Sequence, residues 1–149
     1  MPDFSSLIRA HRPDLTTYEE LYKTLHANPG LSLQESFAAT IAAEHLAEYG
    51  FEVNSNVGGY GLFGVLKNGP GKTIMLRADT NALPVEEQTG LSYASTKREV
   101  DVEDQVEKPV MHACGHDMHV SYCILVSHSS HSGRLLIPLI PDRVHARRS

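Results

Sequence analysis

The chain has 149 residues, a formal net charge of −5 and a hydrophobic content of 41%, which is enough to bury one ordinary core. No apolar segment approaches the length of a membrane span, and the two cysteines, Cys114 and Cys123, are too few for a disulfide framework. These features exclude a membrane-spanning protein and a disulfide scaffold. Residues 1–6 show no targeting signal, so we expect a cytoplasmic protein. The length predicts one domain or part of one.

Two helices are predicted within the first fifty residues. Residues 17–20 (Thr-Tyr-Glu-Glu) read as a capping box that opens a helix, and Pro29 stops this helix. Residues 32–35 (Ser-Leu-Gln-Glu) repeat the box, and an apolar stripe at three-to-four spacing carries the second helix to Gly50. His26 lies at the end of the first helix, where we favour a capping role on the last carbonyl groups over a contact with substrate.

Three strands are predicted after the helices, at 51–57, 61–67 and 72–77. The turn-forming residues 68–71 (Asn-Gly-Pro-Gly) predict that the last two strands form a hairpin. Helices that precede such strands indicate an α/β fold, in which ligands usually bind at strand ends. The segment 99–107 has five acidic residues in nine and is predicted to be a solvated loop.

The most informative segment is 111–119 (Met-His-Ala-Cys-Gly-His-Asp-Met-His), which brings together a thiol, three imidazoles and a carboxylate. In an extended segment, side chains two residues apart project to the same side, so Cys114 and His116 can converge on one ion. Gly115 between them permits a tight turn. A single such pair is more often a buried thiol beside a surface histidine, but together with the other motifs it predicts a zinc or manganese site.

Two neighbours of this pair have open or lesser roles. Asp117 either caps the helix that begins near Met118 or hydrogen-bonds an imidazole, and the two roles are compatible. His119 falls in the first turn of that helix, where the helix dipole disfavours imidazolium, so we expect a surface histidine there rather than a third ligand.

Four motifs in this order resemble a known family. They are 25–32 (Leu-His-Ala-Asn-Pro-Gly-Leu-Ser) with Glu35, 75–85 with Asp79, 90–96 (Gly-Leu-Ser-Tyr-Ala-Ser-Thr), and 111–119. From about residue 18 to residue 120 the chain resembles the amidohydrolase branch of the zinc aminoacylase and carboxypeptidase-type metallopeptidases. The branch includes hippurate hydrolases, N-acyl-amino-acid amidohydrolases and auxin-conjugate hydrolases.

The resemblance implies a fold, a site and a substrate class. The fold would be the N-terminal part of a zinc-exopeptidase-like three-layer catalytic domain of α/β class, with its sheet incomplete. Cys114 and His116 match metal ligands for zinc or manganese, His112 does not, and Asp79 matches a carboxylate near the site, which makes it the catalytic candidate. The substrate would be a small N-acyl amino acid or peptide-like molecule, and neither nucleic acid nor a membrane is expected as a partner.

The resemblance stops near residue 120. The family continues with a glutamate that acts as general base, further Glu and His ligands and an inserted dimerisation domain, whereas 118–149 contains no glutamate and a single acid, Asp142. Four arginines and Asp142 give this segment a charge of +3, so the first 117 residues carry −8. We therefore predict a catalytic-domain portion at 1–120 and a divergent, poorly ordered tail at 121–149, without the dimerisation domain.

Two functions remain open from the sequence. The first is a metal-dependent amidohydrolase by descent, truncated and inactive as this chain because it lacks the general base and most ligands. The second is a non-catalytic fragment that binds metal or a partner. An incomplete sheet exposes an unpaired edge, so self-association is possible with either function.

Overall fold

The computed structural model describes Ser5 and residues 14–67, 69–70, 72–129 and 134–139. The elements, in chain order, are α1 (Thr16–Ala27), α2 (Ser36–Glu48), β1 (Glu52–Val57), β2 (Gly61–Leu66), β3 (Thr73–Met75), β4 (Arg98–Val100), β5 (Glu107–Pro109), α3 (His116–Ser129) and β6 (Arg134–Leu139). The chain thus combines helices and strands, as the α/β prediction requires. Among the described helices, none combines the length and the apolar character that a membrane crossing needs.

Both N-terminal helices form as predicted, but neither uses the predicted capping box. α1 begins at Thr16, where Asp14 Oδ1 accepts hydrogen bonds from the Thr16 amide at 3.0 Å and the Thr16 hydroxyl at 2.8 Å. α2 begins at Ser36 without a side-chain cap. The Ser32 hydroxyl accepts a hydrogen bond from the Asn81 side-chain amide at 3.3 Å instead. A tertiary contact has therefore replaced the local one that the sequence pattern favours.

The main sheet has the strand order β1-β2-β6-β3. β1 and β2 form an antiparallel hairpin, and β6 pairs antiparallel with β2, from Leu62–Leu139 to Leu66–Leu135, and parallel with β3. The predicted hairpin between 61–67 and 72–77 is therefore wrong, because β6 lies between these strands. The turn residues allow a reversal of the chain, but the six-residue β6 offers β2 a longer partner than the three-residue β3.

The chain after residue 120 continues the fold. α3 crosses this position without a break, and its residues Val120, Cys123 and Ile124 are buried in the core. Residues 121–129 are helical and 134–139 form a strand. The division of the chain at residue 120 stays a prediction. The Arg-rich end at 140–149 lies outside the described residues.

The three helices pack around one apolar core against the sheet. The core is formed by Tyr18, Leu21, Leu25, Ala38, Ala42, Leu46, Phe51, Leu62, Ala78, Val120, Cys123 and Ile124. Gly64 of β2 permits a close approach of α2, because a Cβ atom there would lie 3.2 Å from Leu46 Cδ1 and from Phe51 Cβ. The N-terminus of α3, where the candidate metal motif lies, contacts the last turn of α1 through Asp117 and the segment after β3 through His116.

The acidic segment 99–107 is not a plain solvated loop as predicted. Its two ends belong to β4 and β5, which pair as a small antiparallel ribbon. Cations just outside the segment neutralise its acids: Arg98 pairs with Glu107 at 3.1 Å, and Lys108 pairs with Asp101 at 2.8 Å. The backbone pairing of β4 with β5 and these ion pairs give the segment a defined structure.

Candidate metal centre

Two segments that were predicted to carry the site lie side by side. Leu83 and Met111 exchange backbone hydrogen bonds of 2.9 and 3.0 Å across an isolated bridge. This bridge joins the segment that contains Asp79 to the segment that contains Cys114 and His116. The motif then turns and enters α3, whose first residue is His116.

The ring of His116 is held in one orientation. Its Nδ1 atom lies 2.8 Å from the carbonyl oxygen of Asn81. Because a carbonyl oxygen can only accept, Nδ1 must carry the hydrogen and donate it. Nε2 is then the nitrogen that remains available to bind an ion, as in metal sites where a second contact fixes the tautomer of the ligating histidine.

The other two predicted site residues are accessible to different degrees. Cys114 is a free, exposed cysteine. Asp79 is mostly buried and forms an ion pair with the Arg77 guanidinium. Its Oδ1 has no hydrogen bond of good geometry to any residue within the described ranges. Within the part of the chain that the structure describes, no three His, Cys, Asp or Glu side chains form a group that could hold an ion. The assignment of Asp79, Cys114 and His116 to one site therefore stays a prediction.

Gly115 gives the turn between the two candidate ligands, and its φ of +73° leads to a testable prediction. Gly115→Ala is expected to lower the free energy of unfolding by about 1–2 kcal/mol, because a Cβ atom strains the left-handed backbone. An added Cβ would meet nothing within 4 Å, so no steric clash contributes. We also expect weaker zinc binding, because the turn places Cys114 and His116. Urea unfolding measures the loss of stability, and zinc titration measures the loss of affinity.

Gly90→Ala is the matched control for this change. Gly90 has a φ of +72° and equally open surroundings, but it lies outside the metal motif. Both variants should lose similar stability, and only Gly115→Ala should lose zinc affinity. Equal zinc affinity in the two variants would show that the Gly115 turn does not organise the ligands.

The prediction that His26 caps α1 is wrong. Asn28 does so instead, since its side-chain amide donates to the carbonyl oxygen of Thr24 at 2.8 Å. The His26 ring is buried between two carboxylates, with Nδ1 2.6 Å from Asp117 Oδ2 and Nε2 2.9 Å from Glu87 Oε1. Asp117 thus hydrogen-bonds an imidazole, as one of its two predicted roles requires, but that imidazole comes from α1 and not from the metal motif.

Both ring nitrogens of His26 must donate, because ionised carboxylates only accept. Burial alone would lower the pKa of His26, but its hydrogen bonds and ion pairs with Glu87 and Asp117 outweigh burial and raise the pKa above the usual value. Its two carboxylate partners therefore favour the imidazolium form of His26, which would balance part of their charge. Glu87 is also held by the Ser95 amide at 2.6 Å and by the Thr89 hydroxyl at 2.5 Å.

The remaining histidines of the motif differ in exposure. His119 is exposed, as the sequence predicts, and its ring centroid lies 5.6 Å from that of His116. His112 is buried, and its Nδ1 has no hydrogen-bond partner in the part of the chain that the structure describes. Burial lowers the pKa of His112 to about 4, so the ring is neutral at pH 7.

Glu35 is a buried carboxyl group whose environment sequence reasoning missed. Its side chain is almost fully buried, and neither oxygen has a hydrogen-bond partner among the described residues. Burial raises the pKa of Glu35, and nearby backbone amides of residues 33–35 offset only part of this effect. The sequence signals were its place in the second apparent capping box and in the first family motif, and neither indicates a buried carboxyl group.

Glu35→Gln is expected to stabilise the chain at pH 7, because glutamine keeps the size of the side chain but removes the charge that is costly to bury. The pKa of Glu35 is higher in the folded state than the value of 4.5 in the unfolded state, because burial opposes ionisation. The unmodified chain therefore loses stability as the pH rises from the unfolded-state pKa through the folded-state pKa. The gain should therefore disappear near pH 4. Urea unfolding at both pH values tests this, with the exposed Glu44→Gln as control. A destabilised Glu35→Gln at pH 7 would show that the carboxylate has an unrecognised favourable partner.

Solved structures identify the class of protein. An aminohydrolase from methicillin-resistant Staphylococcus aureus matches with a TM-score of 0.77 and 34% identity, over 92% of this chain and 36% of that chain. A dinuclear metal-binding peptidase of the M20 family from Bacillus subtilis matches with a TM-score of 0.73 and 27% identity, over 90% of this chain and 36% of that chain. The fold is thus that of part of a metallopeptidase-type hydrolase, which confirms the predicted fold class.

Curated relatives identify the family. The chain is 40% identical over 111 residues to a hippurate hydrolase from Campylobacter jejuni, across 74% of this chain and 26% of the relative. It is 40% identical over 104 residues to thermostable carboxypeptidase 2 from Saccharolobus solfataricus, across 68% of this chain and 24% of the relative. No family model matches the chain. The relatives and structures place it with the N-terminal part of the M20 amidohydrolases and metallopeptidases, and it spans about a quarter of the relatives' length.

Proposed function

We propose that this chain carries the N-terminal part of the active site of a metal-dependent amidohydrolase. Cys114 and His116 would be ligands of a zinc or manganese ion. The observation that carries the proposal is the fixed His116 ring, whose Nδ1 donates to the Asn81 carbonyl oxygen and leaves Nε2 for an ion. The exposed thiol of Cys114 lies two residues before this ring in the sequence.

The residues present fit a divalent metal in their chemistry. A thiolate and an imidazole are donors that zinc accepts, and a ligating thiol loses its proton. When bound, the ion would supply Lewis acidity toward an amide carbonyl group. Asp79 is the candidate for moving a proton, and its ion pair with Arg77 fixes the carboxylate in place. Further ligands and the general base would come from sequence beyond these residues.

The substrate class of the proposal is a small N-acyl amino acid or peptide-like amide. Hippurate, from which one relative takes its name, is an N-acylated glycine. The same family match includes an N-acetyl-L-cysteine deacetylase at 35% identity over 113 residues, and that name also describes removal of an acyl group from an amino acid.

The proposal includes that this chain alone is truncated and turns over little substrate. No glutamate occurs in 118–149, where the family resemblance implies a general base, and general-base catalysis typically contributes about 10²–10⁴-fold in rate. A non-catalytic metal-binding or interaction fragment is the second candidate. It is favoured by one observation, that the described residues contain no group of three potential ligands.

A chimeric enzyme distinguishes the two candidates. Residues 18–120 would replace the matching segment of the Campylobacter hippurate hydrolase, and glycine release from hippurate would be measured with zinc or manganese. We expect the chimera to hydrolyse hippurate and its His116→Ala variant to be inactive. A folded chimera without activity would support the non-catalytic candidate.

The isolated chain would be assayed on hippurate and acetyl-amino acids alongside the chimera, and we expect no release above the metal-only blank. Metal-dependent turnover that His116→Ala abolishes would refute the proposed inactivity. Asp79→Asn would then test the candidate acid in the same assay.

The cellular setting of the proposal is the cytoplasm, with no nucleic acid or membrane partner. The free thiols of Cys114 and Cys123 suit a reducing compartment.

Self-association would use the edge strand β3, where Ile74 and Met75 are exposed. Sedimentation velocity over a range of concentrations tests this, and a monomer at every concentration would refute it.

A further inference from the structure

The buried His26 side chain connects three separate segments of the chain. It extends from the last turn of α1, its Nδ1 donates to Asp117 in the first turn of α3, and its Nε2 donates to Glu87 in the segment after β3. The exposed fractions of the three side chains are 6% for His26, 1% for Asp117 and 0% for Glu87. Solvent therefore weakens these contacts little.

Asp117 links His26 to His116, the candidate metal ligand. It follows His116 directly, and both of its oxygens are occupied, because Oδ2 accepts from His26 and Oδ1 accepts from the Met118 amide at 2.8 Å. The first turn of α3 is thereby fixed to α1. On its other side, the His116 ring donates to the Asn81 carbonyl oxygen. His116 is thus held from two directions.

Stability alone is a weak reason for such a cluster. A buried ion-paired group is often no more stabilising than apolar side chains of the same volume, because the charges lose their hydration. Apolar packing is available here, since the rings of Tyr93 and Tyr22 lie 5.4 and 5.6 Å from the His26 ring. The bridge supplies instead two directional contacts of fixed length, which apolar packing cannot supply.

We propose that His26 is a positioning residue of the metal site, which acts through Asp117 to hold His116 in its ligating orientation. This inference rests on the proposed function in one respect, that His116 binds the ion. His26 itself does not touch the metal. Residues that orient metal ligands in this way commonly contribute about 10- to 100-fold in metal affinity.

The test compares metal binding by the full chain and its variants. Zinc is titrated in competition with a chromophoric chelator, and cobalt is titrated to observe the thiolate absorption band that reports Cys114 ligation. We expect His26→Gln and Asp117→Asn each to weaken zinc binding about 10- to 100-fold. The double variant should bind no more weakly than Asp117→Asn alone, because His26 acts through Asp117.

Leu25→Ala is the control for a general loss of stability. Leu25 neighbours His26 on α1 and is fully buried in the core. This variant should be less stable but bind zinc as the unmodified chain does. An equal loss of affinity in Leu25→Ala, or additive losses in the double variant, would overturn the positioning role.

The remaining outcomes separate the two proposals. If zinc binding by the unmodified chain does not respond to Cys114→Ser or His116→Ala, the proposed site fails. If it responds to both and His26→Gln binds normally, only the inference fails. If His26→Gln does not fold, the zinc affinities of Asp117→Asn and Glu87→Gln are compared instead. Glu87→Gln preserves the His26–Asp117 contact and should keep its affinity, so equal losses in these two variants would overturn the inference.

Discussion

Zinc binding is expected to weaken at least about tenfold when Cys114 is replaced by serine, and to a similar extent in His116→Ala. A direct ligand should contribute no less than the 10- to 100-fold typical of residues that only orient ligands. Binding by the unmodified chain should itself be weak, because two protein ligands leave most of the coordination to water, whereas a structural zinc site has four. Isothermal titration calorimetry with zinc and with manganese measures both expectations.

The chain contains a control for each ligand. Cys123→Ala removes the other cysteine, whose thiol is buried and whose pKa burial raises to about 11, so it remains protonated and does not bind. His119→Ala removes the exposed histidine beside His116. Both variants should bind as the unmodified chain does. A large loss in either, or tight binding that ignores Cys114→Ser, would place the ligands elsewhere.

The free energy of unfolding is expected to fall by about 2–5 kcal/mol in Leu46→Ala, because the change opens a cavity in the core. Leu46 is 1% exposed on α2 and lies where Gly64 lets the helix approach β2. Domains of this size are usually stable by only about 5–15 kcal/mol, so the loss is large. Urea unfolding should show a lower midpoint and an unchanged slope.

Leu91→Ala is the control for the core substitution. Leu91 is 41% exposed and should change the free energy of unfolding by less than about 0.5 kcal/mol. If Leu46→Ala cost no more than Leu91→Ala, α2 would not be packed on β2 as described.

Local patterns in the sequence predicted most of the elements near the N-terminus. The apolar stripe of α2 and the apolar run of β2 depend on residues close together in the chain, so their spacing alone indicates the structure. The capping boxes failed because Ser32 has a distant partner, Asn81. The hairpin failed because β6, distant in sequence, supplies the better partner for β2.

The sequence by itself determined the fold class, the family resemblance and the candidate donors Cys114 and His116, because these depend on residue type and short spacing. Only the tertiary structure decided the environment of each side chain. It placed His26 between Glu87 and Asp117, residues 61 and 91 positions away in the chain, and it fixed the His116 ring on Asn81. Burial and hydrogen-bond partners arise from contacts between distant segments, and a charge or an imidazole has no fixed role until those contacts form.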